Sequence, residues 1–533
     1  MSTRAESSLI STSLASASSL VLLQLVSRVF TFVLNQLLVR LVSPQVFGTA
    51  AIQFELLLST ILFLSREGTR NALLRAGKGI LTWTPIQANV ALLPVLFGIP
   101  ITIISTVTYL YASSDTTTSQ PHFTLSVFIY ALAAFCELLS EPLYIRAQNE
   151  LRFDVRVRIE GTAVFAKTIT AFMILVSTSP QLALVAFAAG QAAYGFTMLL
   201  GFLYTYVGSA EYWPKKIPVN AHGNTKFVYF DGKLLSLAGS MTTQSVFKHF
   251  LTEGDKFLVS RLSPLEDQGG YAVASNYGSL VARIVFQPIE ETARVFFSKT
   301  LSSETSAKKE GTDNLKTAGN VLSGLLLAFS HLLCLLVTFA PPYLPLALRL
   351  ALPSRYLTTS APAILHTYIY YIPTMAFNGV LEAFFASTAT TSHLRAQSWW
   401  MVVFSLMFVF AAIMFTQNLG LGDSGLVWAN VLNLWLRAAY AWRFVRGYFM
   451  QKGAKDALSL WKCVPPIGVL GAFILSAVVT RTTQSLYQSK PLTIPGQLGH
   501  ILVGAGCVLG CLATCFLLER STFRQLHSLL RRR

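Results

Sequence analysis

Gln24, Arg28, Thr31 and Asn35 follow one another at i, i+4, i+7 and i+11, a spacing that lines polar side chains along one helix face. The same chemistry returns at Gln244, Lys248, Thr252 and Asp255, and again at Arg283, Gln287, Glu290, Glu291 and Arg294. Each stripe climbs roughly 16 Å at about 1.5 Å per residue. All three interrupt apolar runs, and an ionised side chain at a bilayer centre costs at least about 2.5–3.5 kcal/mol, so it faces a bundle interior or water. Two readings are open. The charges pair with one another or snorkel from helix ends, which suits Lys233 and Arg294. Alternatively Arg28, Lys248 and Arg283 line a hydrated cationic cavity, with helices 1 and 7 facing each other across it. Guanidinium forks in such a cavity match the oxygens of a phosphate-bearing ligand. Arg283 has Glu290 and Glu291 nearby on its own helix. Arg28 has no acid within two turns, so another helix or a ligand must compensate it.

These stripes belong to a long internal repeat. Gln24–Pro44 and Gln244–Pro264 align without a gap at an offset of 220, with identities at Gln24/Gln244, Val26/Val246, Phe30/Phe250, Leu38/Leu258, Val39/Val259, Ser43/Ser263 and Pro44/Pro264. A repeat of that period in a membrane chain predicts two similar lobes. The chain of 533 residues is 53% hydrophobic and 12% charged, with mean hydropathy +0.54, which predicts an all-α polytopic membrane protein. Apolar runs predict fourteen spans: 18–42, 46–65, 84–111, 124–145, 159–178, 182–208, 230–252, 270–297, 317–340, 361–388, 397–416, 424–445, 464–480 and 496–518. Residues 341–360 read as a Pro-interrupted interfacial segment. With the N-terminus cytosolic, twenty-seven loop Lys and Arg fall on the cytosolic side and seven opposite, the asymmetry that orients membrane chains. Both termini are then cytosolic, and the net charge of +17 needs no nucleic acid to explain it. The expected organisation is an N-lobe over 1–208, a cytosolic linker over 209–229, a C-lobe over 230–447, and two further helices with a basic tail over 448–533. Six helices precede the second copy, so the lobes should be related by a pseudo-twofold axis along the membrane normal. The first apolar run contains Arg28 and is not read as a cleavable signal.

Further charges recur at helical spacing. Arg66 ends the second span, and Glu67/Arg70 share the spacing of Glu291/Arg294 at the ends of the second helices of the two lobes. They form either ion pairs within a lobe or a cytosolic gate between lobes. Glu137 and Glu141 precede Arg146 and are expected to pair with it at the helix end. Lys167, Asn378, Glu382, Asn430, Asn433 and Arg437 are the other polar positions within spans. The six cysteines lie in apolar runs and read as small buried residues. No phosphate-binding GxxxxGK[ST] loop and no metal-ligand spacing of histidines occurs, so neither ATP hydrolysis nor a metal or other cofactor is expected. A polytopic lipid-sugar glycosyltransferase needs acids in the luminal loop after its first span, and VSPQV has none. The sequence therefore reads as a transporter and not an enzyme. An exporter of small cations would want an acidic cavity, whereas the deepest charges here are basic.

The stretches SREGTRNA, ELLSEPLYIRAQ, FLTEGDKFLVS, YGSLVARIVFQPIEETARVFF and NGVLEAFF resemble the Rft family of the endoplasmic reticulum. The resemblance runs from about Leu20 through the twelfth span and is strongest over 227–298. It implies a multi-pass endoplasmic reticulum protein of the multidrug/oligosaccharidyl-lipid/polysaccharide flippase superfamily, with two six-helix lobes around a V-shaped cavity. It also implies a ligand, the dolichol-pyrophosphate-linked heptasaccharide Man5GlcNAc2 used in N-glycosylation, among ER membrane lipids. By similarity to bacterial lipid-precursor flippases, Arg28, Arg66 and Arg283 would hold the pyrophosphate. The expected activity is flipping of that lipid without ATP. The alternative is a non-transporting factor that binds the same lipid.

Overall fold

In hydrocarbon every backbone N–H and C=O must find a partner within its own segment, so a chain this apolar folds into helices. The computed structural model describes residues 33–34, 36–76, 83–150, 152–208, 212–221, 224–302, 308–454, 458–488 and 494–520. The described residues between 33 and 41 are helical and end the first expected span (α1). There follow α2 (Pro44–Leu74), α3 (Pro85–Ala112), α4 (Phe123–Asn149), α5 (Phe153–Ser177) and α6 (Pro180–Thr205). Next come α7 (Gly232–Leu262), α8 (Leu265–Val281, continuing as Gln287–Ser302), α9 (Lys308–Ala351), α10 (Ala361–Thr388) and α11 (Thr391–Ile413). The last are α12 (Ser424–Gln451), α13 (Ile467–Gln488) and α14 (Ile494–Leu518). Among the described residues, 9 helices are long and apolar enough to cross a membrane. The helices α7, α8, α10 and α12, which carry the expected polar positions of the C-lobe, are not among them.

Helix starts follow their local chemistry. Ser43 precedes Pro44 at the first turn of α2 and its hydroxyl accepts from the Val46 amide at 3.4 Å. Ser263 and Pro264, the matching end of the repeat, form the break between α7 and α8, with Ser263 closing α7. Thr84 and Gln87 form a capping box at the start of α3. The backbone widens to π-helical turns at Thr49–Phe54 and Phe63–Glu67 in α2 and at Ala282–Phe286 in α8.

Residues 341–360 correct the sequence reading. The helix α9 runs unbroken for 44 residues through Pro341, Pro342 and Pro345, and only Ser354–Leu357 forms a separate turn of helix. Each proline removes one backbone donor, a loss that a long helix packed on its neighbours tolerates.

The chain divides into two compact units, 1–272 and 273–533. The division falls inside α8, so α7 packs within the first unit, where it lies mainly along the C-terminal half of α2. In that unit α6 packs against both α4 and α5. Gly195 makes the α4–α6 contact possible, because a Cβ there would sit 2.6 Å from the Ala133 carbonyl oxygen. Small residues that let backbones approach this way are the usual substitute for hydrophobic drive between helices in lipid. The second unit has an aromatic core in which Phe286, Phe297, Phe329, Phe384 and Phe449 are buried. Its last two helices pack as a pair, and Val469, Phe473, Cys511 and Cys515 bury against Phe339 of α9.

Between α6 and α7 the chain forms a two-stranded hairpin, β1 (Ile217–Ala221) with β2 (Asn224–Val228). One buried side chain holds its base. Asn89 of α3 donates to the carbonyls of Lys215 (2.7 Å) and Tyr229 (2.6 Å) and accepts from the Lys215 amide (2.8 Å). Both ends of the linker are thereby tied to the first unit. Asn89→Ala leaves these groups without their partner, at a cost of about 1–3 kcal/mol for each buried group that water cannot reach. Hydrogen exchange across 212–230 should accelerate in this variant while exchange in α4 and α6 is unchanged.

Candidate functional site

Two carboxylates in α4 organise the first unit. Glu137 and Glu141 lie one turn apart with side chains 4% and 1% exposed, too buried to stay ionised without cations. The cations come from α2. Arg70 grips Glu141 with both prongs, Nε to Oε1 at 2.6 Å and Nη2 to Oε2 at 2.6 Å. Its guanidinium also lies 4.1 Å from the centre of the Tyr144 ring. Arg66 is held more loosely, its Nη1 standing 3.4 Å from Glu137 and 3.7 Å from Glu141. Gln191 of α6 donates to the other oxygen of Glu137 at 3.0 Å. A bidentate pair locks a side chain, whereas one long contact leaves most of a guanidinium's five donors available. Arg70 is therefore the structural member of this cluster and Arg66 the one that can bind.

This arrangement corrects two expectations. Glu137 and Glu141 do not pair with Arg146, which instead binds Glu150 at 2.8 Å. Arg70 does not close on Glu67 but on Glu141, while Glu67 accepts from Asn71 at 3.1 Å. The cause is burial: Glu141 is almost wholly removed from water, so it gains most from the nearest cation. The spacing argument had also failed to pair Lys167. Its ammonium lies 2.9 Å from Glu55 of α2, the residue that makes the second span look broken in sequence.

In the second unit the polar groups sit on α8, α10 and α12. Arg437 of α12 binds Glu382 of α10 through Nε (2.9 Å) and Nη2 (2.7 and 2.9 Å). Glu290 of α8 lies against the backbone of Gly379, where a Cβ would overlap its carboxylate. Glu382, Arg294 and Glu291 are its charged neighbours. Asn378 is buried, and the carbonyl oxygens of Asn378 and Asn433 accept no hydrogen bond among the described residues. Asn430, one turn earlier on α12, is half-buried. On α8 the exposed Arg283 turns back along its own helix, with Nη2 3.3 Å from Asn276 Oδ1 and 3.1 Å from Ser279 Oγ. Glu291 accepts from Gln287 at 3.0 Å, so the expected pairing by spacing with Arg294 is replaced by one with an amide.

The remaining expected residues divide as follows. Asp255 is half-buried in α7 and accepts from the Tyr271 hydroxyl at 3.3 Å and the Lys256 amide at 2.8 Å. Gln24, Arg28 and Asn35 lie outside the described residues, as do the side chains of Gln244 and Lys248. Sequence reasoning did not single out Gln191 or Tyr144, and took Glu55 only as a break in the second span. Glu55 and Lys167 were legible as opposite charges in the second and fifth apolar runs; the other two carry no such signal.

A family model described as Rft protein matches residues 12–529. The chain belongs to the Rft family. This Rft chain is 34% identical over 531 residues to the Man(5)GlcNAc(2)-PP-dolichol translocation protein RFT1 of Yarrowia lipolytica, covering 90% of this chain and 76% of that one. It is 33% identical over 474 residues to the protein of that name from Schizosaccharomyces pombe (85% of each chain) and 30% identical over 485 residues to that of Saccharomyces cerevisiae (82% of each). Its fold is similar to that of a lipid II flippase MurJ in an inward closed conformation, with TM-score 0.57 and 14% identity over 93% of this chain and 99% of that one. It is similar also to an inward-facing multidrug MATE transporter, with TM-score 0.50 and 13% identity over 82% and 99%. The Rft chain is thus an all-α multi-pass membrane protein whose fold is that of these two structures.

Two variants separate the arginines. Arg70→Ala strands the buried Glu141 and should cost about 3–5 kcal/mol. Thermal unfolding in detergent should register that loss, and Glu141→Gln in the same chain should recover much of it. Arg66→Gln also removes a cation from a buried carboxylate, Glu137, but its contact is longer and Gln191 stays on the other oxygen, so it should cost less than Arg70→Ala. On α8 and α10, Gly379→Ala forces a methyl into the Glu290 carboxylate and should lower stability, with Glu290→Ala restoring it in the double variant.

Proposed function

We propose that this Rft chain moves the dolichol-pyrophosphate-linked Man5GlcNAc2 oligosaccharide from the cytosolic to the luminal leaflet of the endoplasmic reticulum membrane. What carries the reading is Arg66. It is an arginine in a membrane helix, positioned by buried carboxylates that its long contacts do not saturate, in a chain whose relatives are named for translocation of this lipid. A pyrophosphate supplies the bidentate acceptors that a guanidinium lacks there. Arg28, Lys248 and Arg283 are proposed as further donors to the same anion, with Gln24, Asn35, Gln244, Asp255 and Gln287 as polar neighbours. Glu67, Glu290, Glu291 and Arg294 are proposed to close the cytosolic side, with Arg70 held apart from that role by its bidentate pair with Glu141. Exposure of the site would alternate between leaflets without nucleotide hydrolysis, drawn in one direction by luminal consumption of the lipid. The topology proposed with this reading has fourteen spans and both termini in the cytosol. The domain boundaries proposed with it are a cytosolic linker at 209–229 and two added helices with a basic tail at 448–533.

Reconstituted protein tests the activity directly. Vesicles containing the purified chain and labelled lipid-linked heptasaccharide should show faster transbilayer movement than protein-free vesicles. Arg66→Gln should slow it several-fold per molecule of folded protein reconstituted, and Arg66→Lys should retain part of it, since charge remains but the fork is lost. Binding of the lipid without movement would assign the chain to the pathway as a lipid-binding factor. For topology, glycosylation sequons placed in 112–122 should be modified in cells and those in 300–315 should not.

A further inference from the structure

A cavity of about 500 Å³ opens between α2, α3 and α7, its wall on α2 running from Gln53 to Thr60. All its lining residues belong to the first unit and lie toward one end of it, near the 112–122 loop. From Gln53 in its wall to Arg66 is thirteen residues of α2, about 20 Å at about 1.5 Å per residue. The volume is in the range of about 300–1,000 Å³ typical of small-molecule sites.

Its lining has a mixed chemistry. Ser105 and Thr108 of α3 present hydroxyls that make no hydrogen bond with any described residue, each able to donate and accept. Arg261 of α7 stands at the rim, its Nη1 giving one bond to the Ala112 carbonyl at 3.2 Å. Phe250 and Phe257 are 62% and 47% exposed and complete the wall. A site for an acyl chain would be apolar throughout, and a site for a cation would contain an acid, which this lining lacks. Uncommitted hydroxyls next to open aromatic faces suit a ligand with a C–H face and a rim of neutral hydroxyls. That ligand class is a sugar. Gln53 supports the wall without belonging to the binding set, because its amide is spent on Gln268 (2.8 Å) and on the Tyr109 hydroxyl (2.9 Å).

We propose that this cavity is a subsite for the glycan of the transported lipid, on the luminal side of the first unit. It rests on the reading of the substrate given above and names the surface that receives its sugars. The pyrophosphate would sit at the level of Arg66, and the sugar chain would extend along α2 toward Ser105 and Thr108. Uptake at this end would favour the glycan that has already crossed the membrane.

The probe is the free heptasaccharide Man5GlcNAc2, without lipid or phosphate, added to the full chain in phosphatidylcholine nanodiscs. Saturation transfer from protein to mannose ring protons should be seen with the wild type. Ser105→Leu combined with Thr108→Leu fills the cavity and should weaken that binding about fivefold for each hydrogen bond lost. Binding of inorganic pyrophosphate to the same double variant should be unchanged, and Arg66→Gln should show the opposite pattern. No transfer with the wild type, or equal transfer with the double variant, overturns the subsite. Displacement of the glycan by phosphorylcholine overturns it too, by assigning the cavity to a phospholipid headgroup. If lipid translocation persists while the glycan fails to bind, only the subsite falls. If the glycan binds but no lipid moves, the transport reading falls and the subsite stands.

Discussion

The first unit is built around a problem of charge in a medium that does not solvate it. Two carboxylates in α4 lie with side chains 4% and 1% exposed, and their ionised forms are tolerable only with cations in contact. This requirement brings the end of α2 against α4, draws Gln191 of α6 to the remaining oxygen, and sets Tyr144 beneath the Arg70 guanidinium. One arginine is consumed in satisfying that demand. The other is placed by it and still has donors to offer. A guanidinium held this way is already ordered, which would lower the entropic cost of any association it takes part in.

The second unit meets the same requirement by other means. Glu382 of α10 takes its cation from α12 and not from α8. That leaves α8 free to bring a second carboxylate, Glu290, against the backbone of Gly379. Polar groups lie on α2, α4 and α6 of the first unit and on α8, α10 and α12 of the second, with a different helix supplying the cation in each. The π-helical turns at Phe63–Glu67 and Ala282–Phe286 fall at nearly equivalent positions of the repeat, and each contains an arginine. Such turns are rare and concentrate at functional sites.

Helix positions were legible because apolar runs of the right length have few alternatives in lipid. Pairing was not legible for a reason that the π turns make concrete. Spacing rules assume an uninterrupted 3.6-residue period, and a π turn inserts one residue, rotating everything beyond it by about 100°. Arg283 lies within such a turn and Gln287, Glu290, Glu291 and Arg294 beyond it, so the stripe read from sequence is not one face. Arg66 and Arg70 are displaced in the same way relative to Glu55. Choice of partner also depended on burial, which sequence does not report. Glu141 outcompeted Glu67 for Arg70, and nothing in the local sequence of either acid foretells it.

The long helix α9 has a mechanical consequence. At about 1.5 Å per residue its 44 residues span about 66 Å, twice the hydrocarbon thickness of about 30 Å. Pro341 and Pro342 leave the carbonyls of Val337 and Thr338 without their usual amide donors, so bending stiffness drops at that level. Immediately around it, Phe339 meets Phe473 of α13 and Tyr343 stacks on His500 of α14 at 4.3 Å. Tyr343 also donates to the His500 carbonyl at 2.9 Å. The final pair of helices is thus fastened across the compliant section and not to either stiff arm alone. They act as a splint, and any flexing of α9 has to shear that stacked ring pair.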